Sequence, residues 1–222
     1  MIKLAIFDLD GTLLDTLGTI THYVNVALQK YGIKTVTKEE IRTFIGWGAK
    51  NLLTQVLEYR SAYDKVDFDE LFAFYNKNYD AAPYYLTEPY EKIPELVSEL
   101  SARGIKLAVL SNKPYASTKQ CIDRFFTEFE IIRGGCPEVP LKPAPDALYL
   151  IMQELSVTPD EVMYVGDSEI DIETMKNCDT PVALPFACTW GLRTTEELRA
   201  ASPIPSTVFV DTPEEILDRI SR

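Results

Sequence analysis

Apolar residues form two kinds of pattern along this chain. Short apolar runs, which are typical of strands buried on both faces of a sheet, occur at residues 4–7, 105–110, 130–132, 162–165, 181–184 and 207–210. Segments with apolar residues at three- and four-residue steps, the spacing of one helix face, lie between these runs. Strands that alternate with helices in this way predict an α/β fold with a doubly wound parallel sheet, a Rossmann-like core.

The stretch between the first two runs contains helical patterns and no convincing strand. Helices are expected over residues 16–31, after a Thr-Lys-Glu-Glu capping box at 37–40, over 52–57 and over 68–79. We therefore predict two domains. Residues 1–15 and 86–222 would form the α/β catalytic core, and residues 16–85 would form an all-helical cap inserted after the first strand.

Charge and hydropathy narrow the possible partners. The net charge of −12 argues against a nucleic acid or an anionic membrane as the partner. No apolar run approaches the length of about 18 residues that a membrane-spanning helix needs, and the first residues do not resemble a secretion signal. We expect a cytoplasmic protein, a monomer or homodimer, that acts on a small molecule.

The single histidine and the four cysteines argue against a histidine-based triad and a zinc site. His22 is the only histidine, so a histidine-based catalytic triad is not expected. The four cysteines, at positions 121, 136, 178 and 188, have no CxxC spacing and no histidine partners, which argues against a zinc site. We expect their thiols to be reduced.

The candidate chemistry lies where the predicted strands end. Asp8 and Asp10 follow the first strand, where Gly11 permits a tight turn and Thr12 adds a hydrogen-bond donor that suits a phosphate. Polar residues also come after the later runs, namely Ser111, Asn112, Lys113, Lys142, Asp167 and Asp171. Because the carboxyl ends of parallel strands share one edge of the sheet, these side chains are expected to converge.

The charges at this edge predict a metal ion. The four aspartates would bring four negative charges, and Lys142 would return one. Mg²⁺ prefers oxygen ligands, and its two positive charges would allow a phosphate to bind as well. Carboxylates, a lysine and a hydroxyl together are the groups that metal-assisted phosphoryl transfer requires.

Four motifs carry a resemblance to a known family. They read Asp-Leu-Asp-Gly-Thr-Leu-Leu-Asp at residues 8–15, Ser-Asn-Lys-Pro at 111–114, Lys-Pro-Ala-Pro-Asp at 142–146, and Gly-Asp-Ser at 166–168 followed by Asp171. In composition and order they closely resemble the motifs of the haloacid dehalogenase-like hydrolases. The helical insertion after the first motif is similar to the helical cap of that family.

The resemblance implies a role for each catalytic residue. Asp8 would be the nucleophile that forms an aspartyl-phosphate. Asp10 would protonate the leaving alkoxide and then take a proton from the attacking water. Ser111 would bind the phosphoryl oxygens, and Lys142 would neutralise the charge shared by Asp8 and the phosphate.

The resemblance also implies the metal ligands and the type of reaction. Mg²⁺ would be held by Asp8, the Asp10 carbonyl and Asp167, with Asp171 supporting this metal shell. Dehalogenases of the family lack the acid and base that Asp10 represents, because a halide leaving group needs no proton. The presence of Asp10 therefore favours phosphate esters as substrates.

Further stretches resemble phosphoglycolate phosphatases and their relatives. They are Ser-Asn-Lys-Pro, the cap loop Phe-Ile-Gly-Trp-Gly-Ala-Lys at 44–50 and the late Thr-Trp-Gly-Leu-Arg at 189–193. The glycines on both sides of Trp47 would let the cap loop lie against the core. Lys50 and Lys113 are candidates to meet a substrate carboxylate or a second phosphate. The predicted substrate-binding residues are Thr12, Gly48, Lys50, Asn112 and Lys113.

The sequence therefore predicts a Mg²⁺-dependent phosphomonoester hydrolase of a small phosphorylated metabolite, with phosphoglycolate-like compounds as the first candidates. Phosphoryl transfer of the beta-phosphoglucomutase type is an alternative, because those enzymes share the helical cap. A non-catalytic regulator that binds phosphate is an alternative of another class, although the four intact motifs argue against it.

Overall fold

The centre of the fold is a six-stranded sheet whose neighbouring strands are all parallel. The structure, a computed structural model, describes residues 1–220. The strands are β1 (Leu4–Phe7), β2 (Lys106–Pro114), β3 (Ile131–Gly135), β4 (Val162–Gly166), β5 (Leu184–Cys188) and β6 (Val208–Val210). Their order in space is β3-β2-β1-β4-β5-β6, so β2 and β3 lie on one side of β1 and the later strands are added on the other side. This arrangement confirms the predicted doubly wound, Rossmann-like sheet.

A helical segment interrupts the chain directly after β1. The chain leaves through a short strand, Leu14–Asp15, and returns through Glu88–Pro89, which pairs with it antiparallel. Between them lie α1 (Leu17–Lys30), α2 (Lys38–Ile41), α3 (Ala49–Tyr59) and α4 (Phe68–Ala81). Their apolar side chains form a cluster of their own, joined by Leu192 from the loop after β5. The segment is consistent with the predicted cap, and the boundaries at residues 15 and 86 stay predictions.

Helices cover both faces of the sheet. Side chains of α5 (Ile93–Ala102), α6 (Tyr115–Phe125) and α10 (Pro213–Ile220) pack on one face. Those of α7 (Asp146–Leu155), α8 (Glu169–Lys176) and α9 (Thr195–Ala200) pack on the other. Within β1, Ala5 and Phe7 enter the first cluster and Leu4 and Ile6 enter the second, because successive side chains of a strand point to opposite faces.

Three strands differ in extent from the prediction, and β3 runs on to Gly135 rather than ending at residue 132. β2 continues beyond Leu110 to Pro114, with a shift of register against β3, so the Ser-Asn-Lys motif lies inside the strand. The predicted strand 181–184 is displaced, since β5 covers Leu184–Cys188. Burial explains the displacement, because Phe186 and Cys188 are fully buried in the sheet, whereas the N–H of Ala183 bonds to the Pro159 carbonyl outside the strand ladder.

Two further observations bear on the expectations from composition. All four cysteines are free thiols. Among the helices of residues 1–220, none has the length and apolar character needed to cross a bilayer.

Candidate active site

The turn after β1 brings the first motif against the fourth. The N–H of Asp8 donates to the Val165 carbonyl at 2.9 Å, which extends the pairing of β1 with β4 by one residue. The next residues turn tightly, and Gly11 adopts a φ of +90°. A Cβ at this glycine would lie 2.1 Å from Oδ2 of Asp167, so a larger residue would displace the carboxylate. The turn therefore fixes Asp8 and Asp167 as neighbours.

A buried lysine joins two of the acids. Lys142 Nζ lies 2.9 Å from Asp8 Oδ1 and 2.7 Å from Asp171 Oδ1, and it donates to the Tyr164 hydroxyl at 3.2 Å. Burial lowers the pKa of Lys142, but the charges of Asp171 and Asp8 outweigh burial and hold the pKa well above its usual range. The ammonium therefore stays charged at neutral pH.

The Asp171 carboxylate is saturated with donors. Its Oδ1 accepts from Lys142 and, at 2.7 Å, from the Tyr164 hydroxyl, and its Oδ2 accepts from the Ser168 hydroxyl at 2.6 Å and N–H at 3.1 Å. Burial raises the pKa of Asp171, but Lys142 and these hydrogen bonds outweigh burial, and the net pKa is lowered. Asp171 is therefore the acid that remains ionised.

Asp8 and Asp167 hold their charges less favourably. Burial, opposed by Lys142 and reinforced by Asp171, raises the pKa of Asp8 to about 7. Asp167 is fully buried and accepts from the Leu192 N–H at 2.6 Å. Burial, together with the charges of Asp8 and Asp171, raises the pKa of Asp167 well above its usual range. Asp8 and Asp167 therefore need protons or a cation to compensate for their burial.

The donor set fits a divalent cation. One carboxylate oxygen each from Asp8, Asp167 and Asp171 can be chosen so that all three lie within 4.8 Å of one another. Carboxylate oxygens are the ligands that Mg²⁺ prefers, and the three acids face a single lysine. Because the oxygens of Asp171 already accept four hydrogen bonds, Asp8 and Asp167 are the better placed direct ligands.

A small cavity lies between these acids and the helical segment, with a volume of about 50 Å³. One water needs about 10–15 Å³ on this scale, so the space suits roughly four waters or a small ligand. Asp8, Asp10 and Ser111 line it from the core. The opposite wall comes from the loop at 45–49 and from α4, through Gly48, Tyr75, Asn76, Tyr79 and Asp80 among others.

The predicted substrate-binding residues divide into two groups. Gly48 and Lys113 line the cavity, and Lys113 Nζ lies 2.6 Å from Asp10 Oδ1. Burial lowers the pKa of Lys113, but Asp10 outweighs burial and the pKa is raised. Thr12 and Lys50 are not brought to the cavity. The Thr12 hydroxyl is fully buried and donates to Asp167 Oδ1 at 3.1 Å, and Lys50 is exposed on α3.

Asn112 also lines the cavity, but its amide serves the backbone. Its Nδ2 donates to the carbonyls of Gly46 at 2.9 Å and Lys142 at 2.8 Å, and its Oδ1 accepts from the Lys142 N–H at 2.7 Å. Both amide hydrogens are therefore used. The Asn112 amide therefore ties the loop of the helical segment to the backbone of Lys142, and the predicted substrate contact stays a prediction.

The loop at 46–48 lies against the core, as the sequence predicts. Gly46 has a φ of +121°, and a Cβ there would approach Ile170 Cδ1 to 2.5 Å. Gly48 has a φ of +83° and is the N-cap residue that directly precedes α3. Glycine at both positions permits the close contact of the two parts of the chain.

Sequence reasoning missed Arg193, which holds residues 42–45, the turn that leads into the loop at 46–48. Arg193 is 4% exposed and donates to both carboxylate oxygens of Glu169, at 2.7 and 3.0 Å. It also donates to the carbonyls of Arg42, Thr43 and Ile45, at 2.6, 3.2 and 3.0 Å. The motif at 189–193 was the only signal in the sequence, because the three carbonyl partners lie about 150 positions away.

Tyr164 was missed for a different reason. It lies inside the buried strand β4, where its ring reads as one more apolar residue. Its hydroxyl bonds to Asp171 and Lys142, and the Lys142 ammonium lies 5.9 Å from the centre of its ring.

The fold and the site define an α/β enzyme with an acidic, lysine-bridged centre at the carboxyl edge of its sheet. Residues 5–184 match the family model of the haloacid dehalogenase-like hydrolases. The chain belongs to this family.

Individual relatives are phosphatases. A phosphoglycolate phosphatase of Aquifex aeolicus is 32% identical over 85% of both chains. An N-acetylmuramic acid 6-phosphate phosphatase of Pseudomonas aeruginosa is 27% identical over 100% of this chain and 96% of the relative. A crystal structure assigned as a phosphoglycolate phosphatase, from Lactobacillus delbrueckii subsp. bulgaricus, superposes with a TM-score of 0.88 at 31% identity over 98% of both chains. These similarities group the chain with the phosphatases of the family.

Removing the Arg193 guanidinium should loosen the turn that carries the cavity loop. In Arg193→Gln, residues 42–48 should exchange their amide hydrogens at least about tenfold faster, because three carbonyl partners lose their donor. Hydrogen exchange followed by mass spectrometry measures this locally. Arg199→Gln, an exposed change in α9, is the matched control. Equal exchange of residues 42–48 in wild type and Arg193→Gln would contradict the role given to Arg193.

Neutralising Asp8 should stabilise the metal-free protein above neutral pH. Between about pH 4 and pH 7 the folded state keeps a proton on Asp8 that the unfolded state has lost, so stability falls as the pH rises. Asp8→Asn removes this loss and still accepts from Lys142. At pH 8 in EDTA its melting temperature should exceed that of the wild type by at least about 2 °C, the shift that about 1 kcal/mol gives in a chain of this size.

The control for this experiment is Asp15→Asn, which changes an exposed acid of the same motif and should leave the melting temperature unchanged. The gain in Asp8→Asn should vanish near pH 4, and Mg²⁺ should stabilise the wild type more than the variant. A variant that melts below the wild type at pH 8 in EDTA would show that Asp8 is not destabilised by its surroundings.

Proposed function

We propose that this phosphatase is a Mg²⁺-dependent hydrolase of a small phosphomonoester and that it works through an aspartyl-phosphate on Asp8. The observation that carries the proposal is the position of the Asp8 carboxylate. It lines the cavity, lies 2.9 Å from the Lys142 ammonium, and shares a buried acidic group with Asp167 and Asp171. Phosphoglycolate-like compounds are the first esters to test, because several relatives carry that name.

In the first half of the reaction, an Asp8 oxygen attacks the phosphorus. The bond from phosphorus to the ester oxygen breaks, and the leaving alkoxide takes the proton of the Asp10 carboxyl group. The Lys113 ammonium, 2.6 Å from Asp10, then stabilises the carboxylate that remains. This contact supports a role for Lys113 through Asp10.

In the second half, water attacks the phosphorus of the aspartyl-phosphate. Asp10 takes a proton from this water, the bond between phosphorus and Asp8 breaks, and inorganic phosphate leaves. Both aspartates return to their starting states, so the cycle consumes one water for each ester. The helical segment forms one wall of the cavity, and this wall supports exclusion of other water molecules during the first half.

The remaining residues hold the charge of the phosphoryl group. Lys142 neutralises charge shared by Asp8 and the phosphate, and Ser111, which lines the cavity, binds phosphoryl oxygens. Asp8, the Asp10 carbonyl and Asp167 would hold Mg²⁺, and Asp171 would orient Lys142. When bound, Mg²⁺ supplies positive charge that stabilises the transferring phosphoryl group.

The test is a phosphate-release screen over glycolate, sugar, nucleotide and pyrophosphate esters, with Mg²⁺ and with EDTA. Wild type should release phosphate only with Mg²⁺. Asp8→Asn should lower kcat at least about 10³-fold, because it removes the nucleophile, while its circular dichroism spectrum stays that of the folded protein. Asp15→Asn should keep the wild-type rate.

Two outcomes would contradict the proposal. Wild-type turnover by Asp8→Asn would show that Asp8 is not the nucleophile. Turnover that requires a bisphosphate activator and conserves the phosphoryl group would identify a mutase instead.

A further inference from the structure

The loop after β5 packs against Asp167, one of the proposed metal ligands. The Leu192 N–H donates to Asp167 Oδ2 at 2.6 Å, and the Thr12 hydroxyl donates to Oδ1 at 3.1 Å. The Trp190 indole N–H bonds to the Thr12 carbonyl at 3.1 Å. A Cβ on Gly191 would lie 2.4 Å from Asp167 Oδ2, so the backbone of the loop is in close contact with the carboxylate. The orientation of Asp167 therefore depends on the position of this loop.

Leu192 connects the loop to the helical segment in two ways. Its side chain is 7% exposed and belongs to the apolar cluster of the helical segment. Its carbonyl accepts from Nη1 of Arg42, the residue that directly follows α2, at 2.8 Å. The same residue thus has its N–H on a proposed metal ligand and its side chain and carbonyl on the helical segment. Contact with the helical segment therefore fixes the residue that holds Asp167.

The Arg42 side chain is itself held in place. It donates to both carboxylate oxygens of Glu197 on α9, at 2.8 and 3.0 Å, and the Arg42 carbonyl accepts from the Arg193 guanidinium at 2.6 Å. A planar guanidinium with two parallel bonds to a carboxylate has a well-defined orientation. Arg42 does not line the cavity, so it can act on the site only through the groups that it holds.

We propose that Arg42 is a positioning residue for the metal site: it holds Leu192, whose N–H orients Asp167, and in this way it raises the affinity for Mg²⁺. Groups that hydrogen-bond to metal ligands orient those ligands and strengthen metal binding. Leu192 is such a partner of Asp167, and Arg42 acts one residue further from the metal. The inference rests on the proposed function, because it requires that Asp167 binds Mg²⁺.

Arg42→Met tests this role, because methionine keeps an unbranched apolar side chain and removes the donors. The dissociation constant for Mg²⁺, measured by isothermal titration calorimetry, should rise at least about fivefold. This is less than the roughly 10–100-fold loss that follows removal of a direct partner of a metal ligand, since the Leu192 N–H is still present.

Arg42→Lys should restore the affinity. The lysine ammonium can still donate to the Leu192 carbonyl, so the dissociation constant for Mg²⁺ should return to within about twofold of the wild-type value. A purely structural role of the side chain at this position would not separate lysine from methionine in this measurement.

Arg60→Met is the matched control. The Arg60 guanidinium also makes three hydrogen bonds, to the carbonyls of Lys34 and Thr35 and to the Glu40 carboxylate, and all three partners belong to the helical segment. This variant therefore loses as many hydrogen bonds as Arg42→Met, but none of them leads to Asp167. Its dissociation constant for Mg²⁺ should stay within about twofold of the wild-type value.

Hydrogen exchange in the wild type tests the same connection without a variant. Mg²⁺ that orders Asp167 should also order Leu192 and, through the Leu192 carbonyl, Arg42. With Mg²⁺, amide exchange should slow at least about threefold at residues 42–45 and 190–193. It should stay unchanged at residues 60–67, which join α3 to α4 and do not line the cavity. This measurement keeps the inference testable even when Arg42→Met does not fold.

The outcomes separate the inference from the function on which it rests. Equal dissociation constants of wild type and Arg42→Met, an equal rise in Arg42→Met and Arg60→Met, or exchange at residues 42–45 that does not respond to Mg²⁺ would overturn the inference and leave the phosphatase function standing. Failure of the wild type to bind Mg²⁺ would overturn the proposed function and the inference together.

Discussion

The burial of three carboxylates beside one lysine is the constraint on which the site depends. Each acid removed from water loses hydration that the protein must replace with hydrogen bonds, a positive charge or a proton. Lys142 provides the charge for Asp8 and Asp171. The loss of hydration that Lys142 does not offset falls on Asp8 and Asp167, whose pKa values are raised. The two carboxylates that the protein alone compensates least are thus the two that are proposed to meet a cation, and Asp8 is the one of them that also lines the cavity.

Most of this arrangement could be predicted, because it follows from strand ends. Parallel strands converge at one edge, so the apolar runs and the polar residues after them were enough to bring Asp8, Lys142 and Asp167 together. The start of β5 could not be read in the same way, because the run at 181–184 is as apolar as the strand itself. The residues that hold the site in place were also hidden, because Tyr164 and Arg193 act through single polar groups on partners that sequence spacing does not reveal.

The residues predicted to bind the substrate show a second limit of prediction from the sequence. Residue type suggested that Thr12, Asn112 and Lys113 would meet the substrate, yet each is engaged by the protein, with Asp167, with the backbone, and with Asp10. Tyr79 offers the opposite case. Its place in a helical apolar pattern concealed a buried hydroxyl that has no hydrogen-bond partner among the described residues. Which polar groups the protein itself engages is a property of the folded chain.

The Asn112 amide has a consequence for the energetics of opening. It bonds both to the carbonyl of Gly46, in the loop of the helical segment, and to the N–H and carbonyl of Lys142, the lysine that is paired with Asp8. Moving the loop at 46–48 away from the core would therefore break a hydrogen bond of Asn112, the residue that holds the backbone of Lys142. For any ligand that binds more tightly when Asn112 holds both Gly46 and Lys142, contact of the loop with the core and binding of that ligand would favour each other by the same factor.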